Sequence, residues 1–296
     1  QATISPLLED PATGEIIVVV DGSYDGSIEF LEEWSKREPR IQAVFQENAG
    51  ESVASWRGDQ QARFPVVLFL DDDVVAAKGL VSGHASVHSD ASRRLVLGYM
   101  PTRLPIHRRS GQAPTIVYAG DYENTCARYE RDPDTIFTYF WAGNAALRRA
   151  DIGVVRPDGP PLSYHEDKQL GLRCRDAGLE PVFDRRLLAA HSYDRDLARF
   201  VTECRRVAES RARLIVEYPA LREELDPTKA LSAGGAMAAR GLSAWPVSEV
   251  AEMIVAALSR LSGRAGAWSF EVFFTRVLRQ IVIFSTYRQE ARSLTK

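Results

Sequence analysis

Two apolar runs in this chain stop abruptly at carboxylates. Val18-Val19-Val20 runs into Asp21-Gly22-Ser23, and Val66-Val67-Leu68-Phe69-Leu70 runs into Asp71-Asp72-Asp73. A buried parallel strand ends this way, and ligands of open α/β sheets bind just outside such strand ends. On extended chain Asp71 and Asp73 share a face, so together they suit a hard divalent cation. A solvated acidic loop is the competing reading, weakened by the apolar run that precedes it. Asp21 sits at a glycine turn, where its carboxylate can accept a hydrogen bond from the imide N–H of uracil; a plain Asx-type turn is the alternative.

Further along, Asn48-Ala49-Gly50 opens a helix whose free N–H groups suit an anion, with helix packing as the equal alternative. Gly143-Asn144 reads as a small turn whose amide offers hydroxyl groups both a donor and an acceptor. Trp141 beside it either stacks on a flat ligand face or packs in the core. Glu166 and Asp167 begin another helix, where a carboxylate can take a proton from an attacking hydroxyl, although the helix dipole alone favours acids there. His191 follows Leu187-Leu188-Ala189-Ala190 and is either a metal ligand or a hydrogen-bonded structural histidine.

The elements that must position these groups alternate over the first hundred residues. Strands are expected at Glu15–Val20, Ile41–Phe45 and Pro65–Leu70, with helices at Ser27–Lys36 and Glu51–Ala62. That βαβα order argues a parallel, doubly wound sheet. Arg103–Pro114 is polar and reads as a loop free to move over a bound substrate. Helices follow at Thr115–Arg131 and Asp167–Ala177, the latter stopped by Gly178, with strand pieces at Pro181–Phe183 and Leu187–His191. From Leu197 the chain turns helical, with segments to Tyr218, at Val247–Leu261 and at Trp268–Tyr287. The last of these carries Phe270, Phe273, Phe274 and Phe284, for packing, a dimer seam or a membrane surface.

Bulk properties exclude some classes. The chain has 296 residues, 45% hydrophobic and 26% charged, enough to bury a sizeable core. A net charge of -3 provides no global basic field for nucleic acid. Cys126, Cys174 and Cys204 lack metal-ligand spacing and read as reduced thiols. No apolar run is long enough to span a bilayer and no leader is visible, so a cytoplasmic protein, at most peripheral at the inner membrane face, is expected.

In this order the motifs resemble family 2 glycosyltransferases, the inverting enzymes of GT-A fold. Asp21-Gly22-Ser23-Tyr24-Asp25 is similar to the family's Asp-Asp-Gly-Ser-x-Asp, with Val20 in place of the first Asp. Asn48-x-Gly50, Ala54 and Gly58, the Asp71–Asp73 triplet, the segment from Trp141 to Arg149, and Glu166-Asp167-x-x-Leu170 complete the pattern. Family members open with an apolar strand and a helix; Gln1–Leu8 is similar to the second half of that helix, which implies a strand ahead of it.

The resemblance implies a GT-A fold, a Rossmann-like doubly wound mixed sheet, with a helical C-terminal extension. Residues 1–100 would form the nucleotide-sugar half, 101–218 the acceptor and catalytic half, and 219–296 the extension. It implies a metal-dependent inverting transfer of a hexosyl group from a nucleotide-diphosphate sugar, first of all a UDP-sugar, to a hydroxyl acceptor such as a glycan, a lipid-linked molecule or a small molecule. Asp167 would be the base with Glu166 next to it; Asp21, Ser23, Asn48, Gly50, Asp71, Asp72, Gly143 and Asn144 would hold the donor; Asp73 and His191 would hold Mn²⁺ or Mg²⁺. Within that set Asp71 would meet the ribose, while Asp72 reads as structural. A homodimer or peripheral membrane contact would run through the C-terminal helices. The competing classes are a sugar-nucleotide pyrophosphorylase, which should show a glycine-rich phosphate loop, and a catalytically silent nucleotide-sugar-binding module.

Overall fold

The β-branched and aromatic runs do form strands, and acids end them. The computed structural model describes residues 1–156, 165–227 and 247–294. After α1 (Ile4–Leu8), β1 (Ile16–Asp21) pairs in parallel with β2 (Ile41–Gln46), from Ile16 opposite Ile41 to Asp21 opposite Gln46. The helix α2 (Ser27–Arg37) connects them. Its Leu31 joins Ile4, Val20 and Ile41 in one apolar cluster.

Next come α3 (Glu51–Gln61), β3 (Val66–Leu70), β4 (Val74–Ala76), α4 (Leu80–Val87) and β5 (Arg94–Tyr99). They are followed by α5 (Ala113–Arg131), α6 (Ile136–Tyr139), β6 (Asn144–Arg148), α7 (Arg149–Val155), α8 (Glu166–Asp176) and β7 (Glu180–His191). A five-stranded sheet runs β3-β6-β5-β7-β4. Only β5 and β7 are parallel in it, so the parallel pairing argued from the βαβα order holds for β1 and β2, and the larger sheet is the mixed one expected of a GT-A fold. Leu95, Leu97, Phe140, Leu147, Ile152 and Cys174 fill the core of this region.

Two local expectations are also corrected. Asn144 is not in a turn but begins β6, opposite Leu70 of β3. The two strand pieces near residues 181 and 191 are one strand, β7, in which a bulge shifts the pairing from Gly98–Asp184 to Tyr99–Leu188.

By internal contacts the described chain forms two compact units. Residues 1–103, 123–156 and 166–192 make the first; 104–122, 193–227 and 247–294 belong to the second. The second is built on α9 (Leu197–Glu217), α10 (Arg222–Leu225), α11 (Val247–Arg264) and α12 (Trp268–Ser293). Asp196 caps α9, its carboxylate accepting the Arg199 N–H at 2.8 Å. Of Arg103–Pro114, read from sequence as a mobile loop, residues 104–114 belong to this unit and are held there at Arg108 and Gly111. Buried Glu271 of α12 accepts the Gly111 N–H at 2.7 Å and lies 3.5 Å from Arg108, which also donates to the Trp268 carbonyl. Leu278, Ile281, Val282 and Phe284 of α12 are buried, whereas Phe270 and Phe273 are exposed. All three cysteines are buried and outside any disulfide. Among the described residues no helix is long and apolar enough to cross a membrane.

Candidate functional site

The first unit contains every expected site residue. Asp71 leaves β3 directly: its N–H donates to the Gly143 carbonyl at 3.3 Å, and its own carbonyl accepts from Val74 at 3.1 Å. The resulting turn carries Asp71, Asp72 and Asp73 between β3 and β4. Position 143 must be glycine because any Cβ there would run into the Asp71 carboxylate. Thr3 Oγ1 donates to the Asp72 carbonyl at 2.6 Å, a backbone contact that holds the turn.

β4 pairs with β7 so that Val74 lies opposite His191, which delivers the imidazole to the end of the acidic turn. His191 Nε2 is 3.2 Å from Asp73 Oδ1, and Ser192 N–H donates to the Asp73 carbonyl at 2.8 Å. The sheet fixes His191 on both sides: its N–H donates to Pro101 and its carbonyl accepts from Arg103. Asp73 and His191 thus stand side by side at the end of the turn.

Glu51 is the residue that sequence reading missed. It is the first residue of α3, directly after the Asn48-Ala49-Gly50 loop. Burial pushes its carboxyl up, and the charges of Asp72 and Asp73 push it further. The same side chain acts on three other acids. Burial, then Glu51 and Asp73, raise Asp71 to about 7 against the opposing pull of His191. Burial, then Asp167, Glu51 and Asp71, raise Glu166 to about 8. Burial raises Asp167 to about 6, with Lys168 pulling it down and Glu51 pushing it up. One electrostatic field therefore joins the β3 turn to the start of α8. In the sequence Glu51 is only the first residue of an expected helix.

Asp167 accepts the Lys168 N–H at 2.6 Å. Lys168 is buried, its Nζ donating to the Thr138 carbonyl at 3.2 Å and lying 5.1 Å from the Tyr139 ring centroid. A cation is thus held in place beside one carboxyl of the pair.

Asp21 lies at the end of β1 with its carboxylate already engaged. Burial pushes it up, but donors from Gln46 (2.8 Å), Ala49 (2.7 Å) and Gly50 (2.8 Å) hold it below the ordinary range. Asn48 Nδ2 donates to the Asp21 carbonyl at 3.3 Å. Gly22 has φ +71°, and a Cβ there would meet the Asn48 backbone. Asp21, Asn48 and Gly50 therefore form one clamp, and its last link, Gly50, precedes Glu51. Ser23 stands outside it, donating to Asp25 at 2.6 Å.

Asn144 departs from expectation. It is 1% exposed; Oδ1 lies 3.0 Å from His84 Nε2, and Nδ2 donates to the Leu187 carbonyl at 3.0 Å. Both ends of the amide are engaged inside the sheet, so this side chain braces β6 and β7 instead of presenting itself to a sugar. Burial lowers His84 to about 4, leaving it neutral beside the amide. Trp141 is half-buried.

Raised carboxyls make ligand-free stability depend on pH. In the unfolded chain these groups lose their protons near pH 4. In the folded chain Asp167 does so at about 6 and Glu166 at about 8, so within that window the folded chain holds more protons. Stability from these groups falls as pH rises through it. Melting curves between about pH 5 and about pH 8, in parent and Glu166→Gln, should show a steeper decline in the parent. Equal pH dependence in the two proteins would contradict the assignment.

The fold defines the class. The chain is similar to a mannosyltransferase, PcManGT from Pyrobaculum calidifontis, solved in complex with GDP-Man and Mn²⁺, at 14% identity and a TM-score of 0.60, covering 97% of this chain and 83% of that one. It is also similar to residues 1–349 of TarS from S. aureus, at 14% identity and a TM-score of 0.54, covering 99% and 86%. These are GT-A glycosyltransferases, and the GT-A fold expected from the sequence is the fold observed. The profile of "Glycosyl transferase family 2" matches residues 2–152, and the chain belongs to that family. In sequence it is 23% identical over 222 residues to the uncharacterized glycosyltransferase YfnE of Bacillus subtilis, covering 60% of this chain and 56% of that protein. A shorter stretch of 59 residues is 41% identical to the uncharacterized glycosyltransferase YibD of Escherichia coli, covering 20% of this chain and 17% of that protein. The chain thus spans little more than half the length of YfnE.

Proposed function

We propose that this chain transfers a glycosyl group from a nucleotide-diphosphate sugar, first of all a UDP-sugar, to a hydroxyl acceptor with inversion. The observation that carries this reading is the acidic field itself. Asp71 and Asp73 stand at a strand end with His191 beside Asp73, Glu51 and Asp71 both bear on Glu166, and Glu51 bears on Asp167. Support comes also from the relatives: PcManGT is described with GDP-Man and Mn²⁺, and TarS with UDP-GlcNAc.

The donor set fits a divalent cation. Among the described residues no three carboxylate, imidazole or thiolate groups form a ready cage. Yet Asp73 offers an oxygen beside the His191 nitrogen, a pair that suits Mn²⁺, and Asp71 and Glu51 are raised by burial and then by negative neighbours whose charge a cation would offset. When bound at Asp73 and His191, the metal would neutralise charge on the leaving diphosphate.

The chain's own groups divide the remaining work. Asp167 loses its proton before Glu166, so near neutrality Asp167 is the ionised member and Glu166 the protonated one. A carboxylate poised just below the operating pH is a competent base for the acceptor hydroxyl. Protonated Glu166 can donate a hydrogen bond to a bound oxygen. Asp21 shapes the loop at the start of α3 through the Ala49 and Gly50 amides, and it reads the base through whatever acceptor capacity those donors leave.

Thermal shift with UDP, GDP and dTDP, each with and without Mn²⁺, tests the reading. A metal-dependent rise in melting temperature, largest with UDP, is expected. No shift with any nucleotide in the presence of Mn²⁺ would overturn it.

A further inference from the structure

Helix α11 has two unlike faces. On one, Ser248, Ala251 and Ser259 are buried, Ser259 Oγ sits 2.9 Å from Thr275 of α12, and Glu252 pairs with Arg205 of α9. The opposite face carries Val250, Met253, Ile254, Leu258 and Leu261, between 38% and 67% exposed, with exposed Ala257 among them. At roughly 400 Å² its apolar surface is in the range of the largest patch of a typical monomer, and such patches often serve as binding surfaces.

We infer that this face binds a second copy of the chain, α11 against α11 in antiparallel two-fold symmetry. Three features of the stripe are self-complementary. Val250, Ile254, Ala257 and Leu261 follow the 4-3-4 spacing of a helix–helix seam. Antiparallel pairing sets Val250 against Leu261 of the second copy and Ile254 against its small Ala257, so large meets small at the centre and the backbones can approach. The ends are oppositely charged, Glu249 at one and Arg260 with Arg264 at the other, and antiparallel pairing lays each acidic end over the other copy's basic end. A lipid surface would instead meet both signs of charge along one helix.

The area sets the strength. About half of the ~800 Å² per partner in a standard stable interface is available in the stripe, so the pair exchanges at micromolar concentration instead of locking permanently. The inference does not depend on the proposed activity.

Sedimentation velocity of the full chain, from about 1 to about 200 µM, tests it, with Ile254→Glu in parallel; residue 254 is half exposed, so that variant folds. The parent should shift reversibly from monomer to dimer, and Ile254→Glu should stay monomeric with an unchanged melting curve. Ala257→Cys treated with a short bis-maleimide should cross-link into a dimer, because Cys126, Cys174 and Cys204 are buried, whereas Gln280→Cys on exposed α12 surface should not. Either a parent that remains monomeric throughout, or a dimer that persists in Ile254→Glu, would overturn the inference. A monomer that pellets with phosphatidylserine vesicles would also overturn it, by assigning the face to a membrane.

Discussion

In Asp167→Asn, glycosyl transfer falls by about 10²–10⁴ while UDP affinity stays within a few-fold of the parent. The substitution keeps the shape of the side chain and leaves an oxygen to accept the Lys168 N–H, now 2.6 Å from Oδ1. It removes the capacity to take a proton together with the negative charge. Without that charge the Glu166 proton is held by burial, Glu51 and Asp71 alone, and leaves below the parent's value of about 8. Some activity in the variant should therefore return as pH rises and Glu166 ionises. A parallel loss of UDP binding would instead make Asp167 part of the donor site, and near-parental turnover would transfer the base role to Glu166.

Asp73→Ala is expected to weaken Mn²⁺-dependent UDP binding by about 10–100-fold, the scale of a lost charged contact to a bound ligand. Binding without metal should change little. The fold should melt normally, because the Asp73 side chain is 30% exposed and the turn is held by backbone bonds from Val74 and Ser192. The neighbouring His191 keeps its place through Pro101 and Arg103, so the loss reports the carboxylate and not a collapsed strand. Isothermal titration of UDP with and without Mn²⁺ separates the two terms. Unchanged metal-dependent affinity in Asp73→Ala would remove the metal assignment.

What was legible in the sequence was local and periodic. The ends of β1 and β3 stood out because apolar runs met acids without a buffer of polar residues. The helix at Glu166 showed through its acidic start and its glycine stop. Long-range partners were not legible. Gly143-Asn144 carries a turn signature, yet His84 and Leu187, both distant in sequence, recruit Asn144 into a strand. β7 looked broken because Asp184-Arg185-Arg186 interrupts its apolar pattern. In the fold a bulge absorbs those residues, with Arg185 paired to Glu130 and Arg186 to Asp184. Glu51 had no local signal at all. Its role follows only from where α3 places it among Asp71, Asp72, Asp73 and Asp167.

The central claim, inverting transfer from a nucleotide sugar by this acidic site, is tested most directly by following the donor. With Mn²⁺ and a set of α-linked UDP- and GDP-sugars, proton NMR records nucleotide release and the anomer of the sugar first set free in the absence of acceptor. The account predicts slow, Mn²⁺-dependent release of one nucleotide with the β-anomer appearing first, and its loss in Asp167→Asn. Initial appearance of the α-anomer, or no release from any donor while the nucleotide is bound, would contradict it.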